Sequence, residues 1–160
     1  MKKRFDYHKD RNIVCTTKGR VRGYLSDGVY CFSGIPYARA ERFREAAETD
    51  PWDEVLDATD YGCVAPLLQP MNLTGQLLIP HRSYTQNEQC QYLNIRTPSL
   101  ETGAGLPVMV WLHGGGYFEG SSIEQDAYEG KNLAREEQVV TVSLNHRLNI
   151  LGYLDVAVLG

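Results

Sequence analysis

The chain has no long hydrophobic run. No apolar stretch approaches the ~18 residues a membrane-crossing helix needs. The basic start Met1-Lys2-Lys3-Arg4 runs into Phe5-Asp6-Tyr7-His8-Lys9-Asp10 instead of the apolar core of an export signal. C-x-x-C pairs are missing: Cys15, Cys31, Cys63 and Cys90 stand 16, 32 and 27 residues apart, which leaves neither a zinc nor a redox motif. Without an export signal the cysteines are expected to be thiols and the protein cytoplasmic. Low-complexity tracts and internal repeats are absent as well. Positive charge is not in excess: 16 Lys+Arg against 20 Asp+Glu leave a net charge of −4, which argues against a nucleic-acid partner. What remains is 160 residues, 42% hydrophobic and 10% aromatic, enough for one globular core. The charge is uneven, with seven Lys/Arg and two Asp/Glu in residues 1–20 and an acidic balance beyond. Residues 1–11 are expected to form a basic, solvated tail ahead of a domain over 12–160.

Asp27-Gly28, after Ser26 and between Val- and Tyr-bearing runs at 12–24 and 28–33, predicts a tight hairpin turn. Gly34-Ile35-Pro36-Tyr37-Ala38 is expected to leave the sheet, because Pro36 has no N–H to give a ladder. Residues 39–88 read as irregular, an excursion long enough to be functional or part of a larger fold. Strands are predicted at Gln91–Thr97, Leu106–Leu112 and Val139–Leu144. The last two are continuously apolar and are expected to be buried on both faces, as in a parallel sheet. Between them residues 123–137, ending Leu133-Ala134-Arg135-Glu136-Glu137, predict a short helix. Strand, helix and strand within about 40 residues make a right-handed crossover. The fold class is α/β, opened by an antiparallel ribbon.

The loop behind Leu106–Leu112 is His113-Gly114-Gly115-Gly116-Tyr117. Three glycines leave the backbone bare, so consecutive N–H groups can turn toward one point. Such a cradle stabilises developing negative charge, above all the oxyanion of acyl transfer, and the carboxyl end of the strands is where open α/β sheets place ligands. Ser122 with Gln125 three residues on predicts a capping box.

His-Gly-Gly-Gly between strand and helix matches the esterase oxyanion motif. Further segments occur in order: Phe32-Ser33-Gly34-Ile35-Pro36-Tyr37-Ala38, Arg42-Phe43, Asp57-Ala58-Thr59-Asp60-Tyr61-Gly62, Asn87-Glu88-Gln89-Cys90-Gln91-Tyr92-Leu93-Asn94-Ile95, and Asn145-His146-Arg147-Leu148-Asn149 with Leu151-Gly152-Tyr153-Leu154. Together they resemble the N-terminal part of a type-B carboxylesterase, the carboxylesterase/cholinesterase family of α/β-hydrolases. The stretch Ala38-Arg39-Ala40-Glu41-Arg42-Phe43 resembles bacterial members more than animal ones.

The resemblance implies the N-terminal portion of an α/β-hydrolase fold and a carboxylic-ester hydrolase. A serine attacks an ester carbonyl, a histidine acts as base and an acid orients it. The amides of Gly115 and Gly116 are implied as oxyanion donors, with Gly114 and His113 supporting the loop. Tyr117 and Phe118 are placed beside the pocket mouth or in simple loop packing. Arg42 is implied to pair with Glu88. Gln89 stands where the family is usually acidic, and His146 where it is often aromatic. A bond between Cys63 and Cys90 is left open, since Ala65 occupies the usual first position. The implied substrate is a small-molecule ester, with no cofactor, no metal, no nucleic acid and no membrane.

None of the seven serines (26, 33, 83, 99, 121, 122, 143) lies in a G-x-S-x-G, and His8, His81 and His146 have no matching base context. In this fold the triad follows the oxyanion loop. The chain is therefore expected to be the front of a longer domain, inactive alone, with the remainder of the enzyme as its partner. Val139–Leu144 is expected to expose an edge, an aggregation hazard. A non-catalytic cholinesterase-like binding module and a non-functional gene product remain as alternatives.

Overall fold

The computed structural model describes residues 5–68 and 82–155. Its elements in chain order are β1 (Phe5–Asp6), β2 (Ile13–Cys15), β3 (Arg20–Arg22), β4 (Tyr24–Ser26), β5 (Val29–Pro36), β6 (Ala38–Arg39), β7 (Ala47–Glu48), β8 (Leu56–Asp57), β9 (Tyr92–Thr97), β10 (Val108–Leu112), α1 (Lys131–Glu137), β11 (Val140–Leu144) and α2 (Asn149–Gly152). Asp126–Glu129 forms a single 3-10 turn just before α1. Among the described residues six strands form one sheet in the order β1-β4-β5-β9-β11-β10, beside a three-stranded sheet β2-β3-β8 and the pair β6-β7. No helix of the described residues is long and apolar enough to cross a membrane.

The predicted hairpin forms where local chemistry demands it. Ser26 faces Val29 across Asp27-Gly28, and both turn residues have positive φ (52° and 84°), the type I′ geometry whose twist matches the strands. The irregular stretch 39–88 carries the short strands β7 and β8, and β8 pairs in parallel with β3. Within the stretch expected as a tail, Phe5 and Asp6 pair with Ser26 and Leu25, so those two residues extend the large sheet.

Gly34-Ile35-Pro36 does not leave the sheet as expected. Phe32 faces Ile95 and Ile35 faces Leu93, so β5 spends one residue more than β9 and a bulge forms at Ser33-Gly34. Beyond it Pro36 faces Tyr92, and the next N–H, that of Tyr37, donates to Gln91 O (3.1 Å). A proline at the strand's end removes one donor without ending the pairing. The bulge is stitched by side chains of β9: Gly34 N–H donates to Asn94 Oδ1 (3.0 Å), and Arg96 donates to Phe32 O (2.7 Å) and Ser33 Oγ (3.1 Å).

The strand–helix–strand unit β10-α1-β11 is present, with β10 and β11 parallel and in register from Val108–Val140 to Leu112–Leu144. α1 lays Ala134 against Val29 and Cys31 of β5. The expectation of two buried faces fails for β10. It is the edge strand, and all five of its residues are exposed, Val110 at 54% and Leu112 at 64%. The open edge also lies on β10 and not on Val139–Leu144, because β11 sits between β9 and β10. Strand order is a non-local property that the apolar run does not encode. The core consists of small clusters. Val21, Phe32 and Ala58 pack with Trp52, Leu56 and Ile95, while Ala65, Cys90 and Leu148 form a separate cluster.

Candidate active site

β10 ends at Leu112 and the chain turns at once into residues 113–120, at the carboxyl end of the parallel pair. Phe118 and Glu119 N–H both donate to Gly115 O (3.0 and 3.2 Å), folding the loop back on itself. That fold puts Gly115 at φ +124°, where a Cβ would overlap the carbonyl of Glu119. Only glycine fits. Among the described residues the amides of Gly115 and Gly116 have no acceptor. An open cleft of about 610 Å³ lies beside the loop, bordered by Leu112, His113, Gly116, Tyr117, His146 and Tyr153. Phe118 instead faces a separate depression with Leu67 and Leu68.

His113 is buried (8% exposed), and its Nδ1 lies 2.9 Å from Gly114 O. A carbonyl only accepts, so Nδ1 carries the hydrogen and Nε2 is bare; Nε2 is buried without a partner among the described residues. His146 stacks flat on it, with ring centroids 4.8 Å apart and planes within 9°. His146 thus does the packing work of an aromatic ring. Burial, and secondarily the neighbouring imidazole, hold His113 below the ordinary imidazole range, although its bond to Gly114 pulls the other way. This makes it a brace for the loop and a poor base at neutral pH.

The unfolded imidazole takes up a proton near pH ~6.5, while the folded one resists until a lower pH. Across that interval the unfolded chain binds more protons, so stability falls as pH drops below ~6.5 and levels once the folded ring titrates. The urea midpoint followed from pH 7.5 to 5 should fall more steeply for the parent than for His113→Asn. Parallel curves would remove His113 as the source.

The other predicted residues sort as follows. Arg42 Nε lies 3.0 Å from both carboxylate oxygens of Glu88, as the resemblance implied. The hydrogen bond lowers the Glu88 carboxyl from its ordinary range and raises the guanidinium. Exposed as it is, the pair contributes little. Gln89 suits its place better than a carboxylate: Oε1 accepts from Ala40 N–H (3.1 Å) while Nε2 donates to Ala40 O, a donor role no carboxylate can fill. Cys63 and Cys90 are free thiols, and burial pushes Cys90 up to about 11. The His8 ring accepts from the exposed Asp10 N–H (3.2 Å) and lies at the surface. His81 lies outside the described residues.

The Ser122 capping box does not form. The turn at 126 starts from Gln125 with no side-chain cap, and α1 starts from Gly130. Ser122 is instead 1% exposed inside a polar network. Asn94 Nδ2 donates to Ser122 Oγ and Ser143 Oγ (3.3 Å each), and Ser122 N–H donates to Asn145 Oδ1 (2.7 Å). Asn145 Nδ2 in turn reaches Cys63 O (3.3 Å). This network fixes the base of the loop, and the sequence reading missed it. The nearest signal was Asn145 and Asn149, four residues apart on either side of His146-Arg147-Leu148. Asn149 Nδ2 donates to Pro66 O (2.9 Å), and its N–H donates to Tyr117 O (2.7 Å) at the loop's tip. No group of three or more His, Cys, Asp or Glu among the described residues is placed to hold a metal.

A parallel strand pair joined by a helix, with a bare glycine loop at its carboxyl end and an antiparallel ribbon in front, defines the N-terminal portion of an α/β-hydrolase fold. Solved structures agree. An esterase from Clostridium hathewayi superposes with a TM-score of 0.92 at 49% identity, covering 99% of this chain and 31% of that one. The chain belongs to the carboxylesterase family, whose model matches residues 10–158. The para-nitrobenzyl esterase of Bacillus subtilis is 39% identical over 153 residues, 91% of this chain and 29% of the relative. The phenmedipham hydrolase of Pseudarthrobacter oxydans is 40% identical over 149 residues, again 29% of the relative. The chain thus spans under a third of the length of these relatives.

Proposed function

We propose that these residues form the oxyanion-binding part of a serine carboxylic-ester hydrolase acting on a small-molecule ester. One observation carries the reading: among the described residues the Gly115 and Gly116 amides have no acceptor, on a loop held in a glycine-only conformation beside a cleft. When a nucleophile adds to an ester carbonyl, the C=O bond electrons move onto oxygen. Preset N–H donors stabilise that charge more than they stabilise the substrate, which lowers the barrier. The 160 residues contain no G-x-S-x-G, so the attacking serine is assigned to a segment other than this one.

The test pairs two polypeptides. One is the 160-residue chain. The other joins residues 1–155 to the part of the Bacillus subtilis para-nitrobenzyl esterase that follows its matching segment. The chain alone should show no serine-dependent turnover of p-nitrophenyl acetate, and the fusion should hydrolyse it and lose activity to a serine-directed fluorophosphonate. A burst of nitrophenol from the chain alone, or a folded but inactive fusion, would overturn the reading.

A further inference from the structure

We propose that His146 and Tyr153 are positioning residues for the oxyanion loop, closing a ring of four side chains around it. A run of three glycines has no side chains with which to fix itself, so its hold must come from its ends. Both ends carry rings, His113 and Tyr117. His113 stacks on His146 (4.8 Å), His146 meets Tyr153 edge to face (5.9 Å, 82°), and Tyr153 packs on Tyr117 (4.6 Å, 46°). The chain of contacts thus leaves one end of the loop and returns to the other.

Its outer half is itself pinned. His146 Nδ1 lies 3.0 Å from Arg147 O, Tyr153 N–H donates to Asn149 O (2.8 Å), and Asn149 N–H donates to Tyr117 O. Tyr117 sits at φ +67°, a left-handed conformation a tyrosine holds only when its surroundings impose it. Face-to-face and edge-to-face rings are direction-dependent contacts, so they fix orientation as well as distance. The four rings border the same cleft as Gly116. The role rests on the ester-hydrolase reading, since positioning has meaning only if the amides serve an oxyanion.

Two measurements test it. The first needs no catalysis: amide hydrogen exchange of Phe118 and Glu119, whose N–H groups bond Gly115 O, in the full chain and in the fusion. Tyr153→Ala and His146→Ala should speed exchange at these two amides by about tenfold and leave Ile95 and Val142 amides unchanged. Tyr153→Phe and His146→Phe keep the rings but lose the polar contact between the Tyr153 hydroxyl and His146 Nδ1 (3.3 Å), and should restore most of the parent rate. The second is the kcat-against-KM split of the fusion on p-nitrophenyl acetate. The alanine variants should lower kcat by about tenfold with KM nearly unchanged, as misplacement of transition-state donors does, and the phenylalanine variants should recover most of it. Parent exchange rates and parent kcat in both alanine variants would overturn the proposal, as would failure of both phenylalanine variants to rescue. An inactive parent fusion removes the ester-hydrolase reading by itself, and the exchange rates still decide whether the rings hold the loop.

Discussion

Gly115→Ala is expected to lower kcat on p-nitrophenyl acetate by about 10²–10³-fold in the fusion with the para-nitrobenzyl esterase remainder, the size of losing one oxyanion donor. The reason is local. At φ +124° an L-residue is strained, and the new Cβ would overlap the carbonyl oxygen of Glu119, a backbone atom with no rotamer to escape into. Relief requires residues 119–120 to move, which breaks the turn bonds from Phe118 and Glu119 to Gly115 O and displaces the Gly115 and Gly116 amides. The neighbours supply controls. A Cβ at Gly116 meets nothing within 4 Å, and its φ of +62° lies in the left-handed region that other residues enter at a cost of roughly 1–2 kcal/mol. Gly116→Ala should therefore lose less. Gly114 meets nothing within 4 Å and has no positive φ, so Gly114→Ala should stay within a few-fold of the parent. The order 115 > 116 > 114 is the result to measure, by kcat at saturating ester. Equal losses at all three positions, or a parent-like Gly115→Ala, would show that the loop's backbone does not carry the effect.

That gradient also shows which parts of the molecule local chemistry reveals. The Asp27-Gly28 turn and the His113–Gly116 loop were legible because their conformations are written in adjacent residues. The β10-α1-β11 crossover was legible because apolar runs and a helical stretch alternate at the right spacing. The misses have a common cause in contacts distant along the chain. Nothing near Leu106–Leu112 says that its neighbour is β11 on one side only, so its apolar run read as buried when it is the open edge. Gly34-Ile35-Pro36 read as leaving the sheet because the partners that hold it there, Leu93 and Tyr92 of β9, are distant along the chain. Ser122 read as a cap because its real partners are distant along the chain, Asn94 on β9 and Asn145 just past β11. On β9 the most buried positions are Asn94, Arg96 and Thr97, while Leu93 and Ile95 are only half-buried. Hydrophobic alternation therefore reports the strand and conceals what its polar face does.

Arg96 is where that concealed face has its largest expected effect on stability. The residue is 1% exposed, and no carboxylate lies within ion-pair distance of it among the described residues. Its charge is met by neutral acceptors: Phe32 O (2.7 Å), Ile95 O (3.0 Å), Ser33 Oγ (3.1 Å) and the Tyr61 hydroxyl (3.2 Å), with the Tyr61 ring 5.8 Å below the guanidinium. Two of these acceptors, Phe32 O and Ser33 Oγ, lie at the bulge of β5, where the pairing with β9 shifts register after Phe32. Arg96→Ala strands those acceptors in a cavity. Each buried polar group left without a partner costs about 1–3 kcal/mol, so a loss of roughly 3–5 kcal/mol is expected, a large share of the stability of a typical domain. Arg96→Lys keeps the charge but offers a single point of donors where a planar fork is needed, and should recover less than half of that loss. Arg96→Met keeps volume and sheds the buried charge, and should fall between lysine and the parent. Urea unfolding of the fusion, read through Trp52 in the cluster beside Phe32, gives the order parent, Met, Lys, Ala. A Met variant as stable as the parent would mean that the guanidinium bonds contribute nothing net, and that the bulge is held by Asn94 and by packing.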